Sequence, residues 1–354
     1  MSRSRITLYS FSFRHHGRYS SFHRLLHYSR DCRVVDATFP VRRFLSEAWH
    51  ERLEQRWLRW SERRLRPVFA REERQCIHYI HPENSLFRGD LWKGRHGLVL
   101  TCHQPGETLS EIARKPGFQG FIRALSRADR VILLATHFAR QYEAFCAPEC
   151  LTIIPHGVDV VFFQPSSVRP PNPLILTVGN WLRDYDLWAE VVIRLAKKSP
   201  RLEFAVAALP ATVHAVQERV QEALGARVRF LHGLTDERLR ELYQQAAIVF
   251  LPIKATGANN ALLEAMACGV PAVLSDLPAA REYAGDSALF FKMGATEEAQ
   301  AALGRLLADP GQRRALGQSA RQRALNQLSW QVIADRYRVL YAEVIGTSRD
   351  NQRH

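Results

Sequence analysis

No run of about eighteen apolar residues occurs in the sequence, so no segment is a candidate for a membrane-spanning helix. Cysteine is sparse: Cys32, Cys76, Cys102, Cys146, Cys150 and Cys268 lack the paired spacing of a zinc site or a disulfide framework. Cys146 and Cys150 are spaced to share a helix face, but two ligands without further partners make a poor metal site. Buried thiols in a reducing cytoplasm are the expectation. Ile6 to Phe13 is not expected to be an export signal, because it is broken by Thr7, Ser10 and Ser12 and lacks a small-residue cleavage site. That stretch is predicted to be a first strand. Disorder is excluded by 46% hydrophobic against 24% charged residues. A chain of 354 residues suits two domains of ordinary size.

Acidic residues are the minority, and unevenly so. The net charge is +14, with 27 Lys and Arg against 16 Asp and Glu in residues 1–170, and 22 against 19 in the remainder. Within the basic half, Leu45, Trp49, Leu53, Trp57 and Trp60 recur every three or four residues between Phe44 and Arg66. Arg52, Arg56, Arg59, Arg63 and Arg64 flank them. Two readings are open: a helix lying peripherally on an anionic membrane beside a lipid-linked acceptor, or one packing its tryptophans on a sheet. No recognition motif accompanies the charge, so nucleic acid is not an expected partner.

From Leu174 onward short apolar runs alternate with helical patterns. Leu174 to Gly179, Leu202 to Leu209, Val228 to Gly233, Ile248 to Pro252 and Pro271 to Asp276 are predicted strands. The first half adds Ile6 to Phe11, Arg33 to Ala37, Cys76 to Ile80, Gly97 to Thr101, Arg130 to Leu134 and Leu151 to Ile154. Parallel strands need crossover helices, so the alternation predicts two doubly wound, Rossmann-like α/β domains. Four prolines between Gln164 and Pro173 preclude helix there. The expected domains are 1–165 and 174–328, joined by a linker at 166–173, with a C-terminal helical segment at 329–354. Helices are expected over Gln312 to Asn326 and Trp330 to Ile345. Ligands of such domains bind outside the carboxyl ends of the strands, here in a central cleft.

The most informative segment runs from Ile248 to Asp276. A strand ends at Pro252, a loop with Lys254, Thr256 and Gly257 follows, and Asn259 or Asn260 begins a helix that Gly269 and Pro271 terminate. Amides at that helix start, around Ala261, combine with the helix dipole to hold a diphosphate without a metal. Glu264 lies about one turn in, where a carboxylate accepts hydrogen bonds from a ribose diol. Diphosphate and ribose are what a sugar nucleotide offers. The bland alternative is an ordinary strand-loop-helix unit with a capping asparagine.

Leu262 to Pro271 closely resembles the signature of the large retaining GT-B glycosyltransferases often called family 4, and the resemblance extends over most of Leu174 to Ile345. It implies two facing Rossmann-like domains, with the last helix crossing back to the first. It also implies transfer of a hexose-type sugar from a nucleotide donor, with retention and with no cofactor or metal. In that family two glutamates eight positions apart contact the donor, the first at the sugar and the second at the ribose. Glu264 matches the second, while the first falls on Thr256, which carries no charge. Asn259 and Asn260 are the neighbours able to replace that contact. The family's cations after the first strand of this domain imply diphosphate contacts by Arg183, beyond Gly179, with Lys254 as a second charge. The competing reading is a surface arginine paired with Asp184 or Asp186.

In the first half, Leu98 to Pro105 is a strand running into His103, and the similar family position is a histidine touching the transferred sugar. Phe13 to Ser21 resembles the family's first loop, with Gly17 near the donor and His15 and His16 on the acceptor side. Ile153 to Asp159 resembles the segment closing the first domain, or is a tight turn before the linker. The expected activity is hexosyl transfer to a glycan or lipid-linked acceptor. The rivals are a sugar-nucleotide epimerase of the same fold and a non-catalytic binding protein, the latter motivated by Thr256.

Overall fold

The computed structural model describes residues 4–11, 18–19, 21–29, 31–40, 47–87, 95–103, 109–114, 117–167 and 172–346. His15, His16 and Gly17 lie outside the described residues, as do Leu45 and positions 168–171 of the proline-rich segment. The chain divides into two compact units, the first formed by Met1–His156 together with Trp330–His354 and the second by Gly157–Ser329.

The first unit holds β1 (Ile6–Ser10), β2 (Arg33–Asp36), β3 (Cys76–Tyr79), β4 (Gly97–Cys102), β5 (Arg130–Leu133) and β6 (Leu151–Ile153). They pair in the order β2-β1-β3-β4-β5-β6, all parallel. The second unit holds β7 (Leu174–Val178), β8 (Glu203–Ala207), β9 (Val228–Leu231), β10 (Ile248–Leu251), β11 (Ala272–Ser275) and β12 (Ala288–Phe291). Their order is β12-β11-β10-β7-β8-β9, again all parallel. Both units are therefore doubly wound, and in the second the direction of winding reverses between β7 and β10. Every strand falls on an expected run except β12, a sheet edge whose Leu289 and Phe290 are only half-buried.

Helix faces explain why the layers pack. The Tyr185–Lys198 helix turns Tyr185, Trp188, Val192 and Leu195 onto β7 and β8 at three- and four-residue spacing, and Asp184 caps it by accepting from the Leu187 amide at 3.2 Å. In the first unit the Trp330–Gly346 helix buries Trp330, Ile333, Tyr337, Tyr341 and Val344. It docks through buried polar contacts as well. The His78 ring on β3 bridges the Tyr341 hydroxyl at 2.6 Å and Thr101 Oγ1 at 2.7 Å, and Thr101 meets the Tyr337 hydroxyl at 3.1 Å.

The basic Glu47–Glu62 helix buries Leu58, Ser61 and Glu62, and the chain beyond it buries Leu65. This face is offset from the predicted tryptophan stripe. Trp57 is half-buried and donates to the Ala37 carbonyl at 3.0 Å, whereas Trp49 and Trp60 are 59% and 51% exposed. Glu62 wins a buried place because its carboxylate accepts from the Tyr79 hydroxyl at 3.1 Å.

Gly317, on the Pro310–Arg323 helix, lies against the Gly269 turn, where a Cβ would stand 2.3 Å from the Gly269 carbonyl oxygen. Gly269 itself has φ +66° and ends the Asn260–Ala267 helix. Gly317→Ala is expected to cost about 1–3 kcal/mol, because a backbone carbonyl yields less readily than a side chain. Thermal melting of the variant checks this, and an unchanged midpoint would show that the two backbones separate freely.

Candidate active site

The carboxyl ends of β7 and β10 meet through the backbone. Arg183 and Ile253 form an isolated antiparallel bridge, the Asp184 amide donates to the Pro252 carbonyl at 2.9 Å, and the Lys254 amide donates to Leu182 at 2.8 Å. These bonds hold Leu182 at φ +55°, the one positive φ outside glycine among the described residues. A leucine there is strained by about 1–3 kcal/mol, so the loop is over-determined by its neighbours. Trp181 just before it is 61% exposed.

That loop delivers Arg183. Its Nε donates to the Val178 carbonyl at 3.0 Å, Nη1 to the Trp181 carbonyl at 3.1 Å, and Nη2 to Asn259 Oδ1 at 3.4 Å. Gly179, at φ +120°, makes room: a Cβ there would lie 2.5 Å from Arg183 Nη2. The Tyr185 hydroxyl donates to the Gly179 carbonyl at 2.6 Å. Burial draws the Arg183 pKa below its ordinary value, but an arginine remains cationic at neutral pH. Neither Asp184 nor Asp186 pairs with it. Asp184 lies 4.0 Å from Lys254 Nζ and Asp186 3.8 Å from Arg219, so Arg183 has no carboxylate within ion-pairing distance among the described residues. Lys254, half-exposed, thus has a partly compensated charge, while that of Arg183 is uncompensated.

Asn259 caps the Asn260–Ala267 helix, its Oδ1 accepting from the Leu262 amide at 3.2 Å. The Leu263 amide donates to the Asn259 carbonyl at 3.1 Å, which leaves the Ala261 amide ahead of them without a partner among the described residues. One asparagine oxygen therefore joins the helix start to the Arg183 guanidinium. Thr256 is buried just upstream, its hydroxyl 3.5 Å from the Gly257 carbonyl. Glu264, on the next turn, is 3% exposed. The sequence-predicted residues Gly179, Arg183, Thr256, Gly257, Asn259, Asn260, Ala261 and Glu264 thus lie on two adjoining loops and one helix start of the second unit.

Tyr185 and Tyr243 were not anticipated. Burial pushes the Tyr185 hydroxyl up to about 12, so it stays a hydrogen-bond donor. Its signal was its place two residues after Arg183. Tyr243 comes from the Asp236–Gln245 helix and left no trace in the local pattern.

In the first unit His103 ends β4. Its amide donates to Glu83 and its Nε2 lies 2.6 Å from the Ile80 carbonyl. Its ring is 4.0 Å from that of His81 and 4.9 Å from Phe22, which also meets His156 at 5.0 Å and Trp330 at 5.1 Å. Phe22 gathers three histidines at the carboxyl ends of β3, β4 and β6. Of these three histidines, the sequence singled out His103, as catalytic alongside Arg183 and Lys254.

Comparison with known proteins bears on the family and the fold. Residues 172–309 match the family described as Glycosyl transferases group 1. The MMP alpha-(1->4)-mannosyltransferase of Mycolicibacterium hassiacum is 30% identical over 292 residues, covering 75% of this chain and 70% of that protein. The D-inositol 3-phosphate glycosyltransferase of Streptomyces bingchenggensis is 27% identical over 271 residues, 68% of this chain and 58% of its own. Among solved structures, sucrose-phosphate synthase from Thermosynechococcus elongatus superposes with a TM-score of 0.70 at 21% identity, covering 90% of this chain and 85% of that one. HepE from Anabaena, solved in complex with UDP-glucose, gives a TM-score of 0.70 at 14% identity, covering 96% and 99%. These structures share its fold, GT-B. The chain is a glycosyltransferase belonging to the glycosyl transferases group 1 family.

Proposed function

We propose that the protein moves a hexose from a nucleoside diphosphate donor to a glycan or lipid-linked acceptor, with retention at the anomeric carbon and without a metal. The observation carrying this reading is the uncompensated Arg183 guanidinium, hydrogen-bonded to the asparagine that caps the Asn260–Ala267 helix. A cation next to the start of a helix, with the Ala261 amide open, is suited to stabilise a departing diphosphate. Lys254 adds charge after release from Asp184, and Glu264 accepts from the ribose. Asn259 and Asn260 take over the sugar contact that Thr256 cannot supply as a charge. The same reading gives His103 to the transferred sugar. Retention and the hexose rest on resemblance to relatives such as the mannosyltransferase.

An anionic membrane surface is the partner we infer for the Glu47–Glu62 helix. Trp49 and Trp60 stand exposed, with the Arg52 guanidinium 5.8 Å over the Trp49 ring and Arg56 also in solvent. No helix among the described residues is long and apolar enough to cross a membrane.

Thermal shift against UDP-, GDP- and ADP-hexoses tests the donor site, since a ligand at 100 times its Kd stabilises by about 2.7 kcal/mol. At least one donor is expected to raise the midpoint of the wild type, and Glu264→Ala to lose that shift. A protein indifferent to every donor at millimolar concentration would end the reading. Product analysis with acceptor omitted separates transfer from epimerisation.

A further inference from the structure

Tyr243 is fully buried, and its hydroxyl, out of contact with solvent, makes no hydrogen bond of strict geometry. A buried hydroxyl left unbonded costs about 1–3 kcal/mol, and a phenylalanine in its place would avoid that cost. The ring has little freedom to turn away. Phe163 meets it edge-on, with centroids 6.1 Å apart and planes at 84°. The hydroxyl therefore stays where the fold holds it.

Its surroundings are those of the donor site. The Glu264 carboxylate stands within its reach on the neighbouring Asn260–Ala267 helix, and the Arg183 guanidinium lies near. Burial foremost, and then the Glu264 charge, push the phenol well above its ordinary pKa, so it can only be a donor near neutral pH. Glu264 is itself only 3% exposed.

We propose that Tyr243 is a positioning residue, its hydroxyl donating to the Glu264 carboxylate and turning the remaining lone pairs toward the ribose diol of the donor. The proposal rests on the reading of Glu264 as the ribose contact, and it adds a residue two elements removed from the diphosphate. A hydroxyl that only filled space would affect stability alone. One that orients the carboxylate affects discrimination between ribose and deoxyribose.

The experiment measures, by titration calorimetry, the affinity for UDP, GDP or ADP, whichever the wild type binds, against its 2′,3′-dideoxy analogue. The wild type is expected to prefer the ribonucleotide, and Tyr243→Phe to narrow that preference about tenfold, the scale of one hydrogen bond to a charged group. Glu264→Gln serves as the reference. A preference lost in Glu264→Gln but intact in Tyr243→Phe would overturn the role of Tyr243 and leave the ribose contact standing. A preference intact in Glu264→Gln would overturn the ribose contact itself, and the proposal with it.

Discussion

Arg183→Ala is expected to lower kcat by about 10²–10³-fold, the loss seen when one preorganised stabiliser of developing charge is removed. The leaving diphosphate gains negative charge as the glycosidic bond breaks, and a cation already fixed in place needs no reorganisation at that moment. Arg183 meets the condition because Val178, Trp181 and Asn259 hold its fork while no carboxylate among the described residues pairs with it. Those bonds are also structural, so the variant is expected to soften the loop around Leu182. Arg183→Lys separates the two effects. It keeps the charge but not the planar fork, and kcat should fall between those of the wild type and the alanine variant. An alanine variant turning over at the wild-type rate would remove Arg183 from the chemistry.

Acid should loosen the first unit through His78. Burial holds its pKa down at about 3, against an ordinary 6.5, so between those values the unfolded chain binds a proton that the folded chain refuses. Stability from this group is intact above pH 6.5 and is lost as pH falls, by about 1.4 kcal/mol per pH unit until the folded pKa is reached. Burial lowers the His96 pKa as well, and its effect has the same sign. His78→Gln, neutral at every pH, is expected to be less stable at pH 7 but to show a shallower acid limb in denaturant titrations from pH 7 to 4. Equal slopes in the two proteins would place the acid sensitivity elsewhere.

Much of this was legible in residue order. Parallel strands buried on both faces read as apolar runs, and β7, with Leu174, Ile175, Leu176 and Val178, is unmistakable. β12 was not, because an edge strand shows half its face to solvent and its pattern blurs into the flanking turn. The proposed donor site was legible where one segment builds it, from Thr256 to Glu264, and opaque where partners come from elsewhere. Nothing near Tyr243 says that its helix turns it toward Glu264. Nor does the spacing around His78 reveal that Tyr341, 263 positions later, completes its hydrogen bonds. The Glu47–Glu62 helix shows the limit of periodicity: regularly spaced tryptophans described an apolar stripe, yet packing selected the adjacent face, where Glu62 found a phenol.

The first unit is assembled from two stretches of chain with the whole of the second unit inserted between them. During translation, every residue of the inserted unit emerges before the helix carrying Tyr337 and Tyr341. Until that helix arrives, His78 and Thr101 lack their tyrosine partners and one face of β3 and β4 is bare. The unit synthesised first is thus the last to finish, and a nascent chain that has emerged as far as Ser329 would hold a complete downstream unit and an upstream one with an open flank.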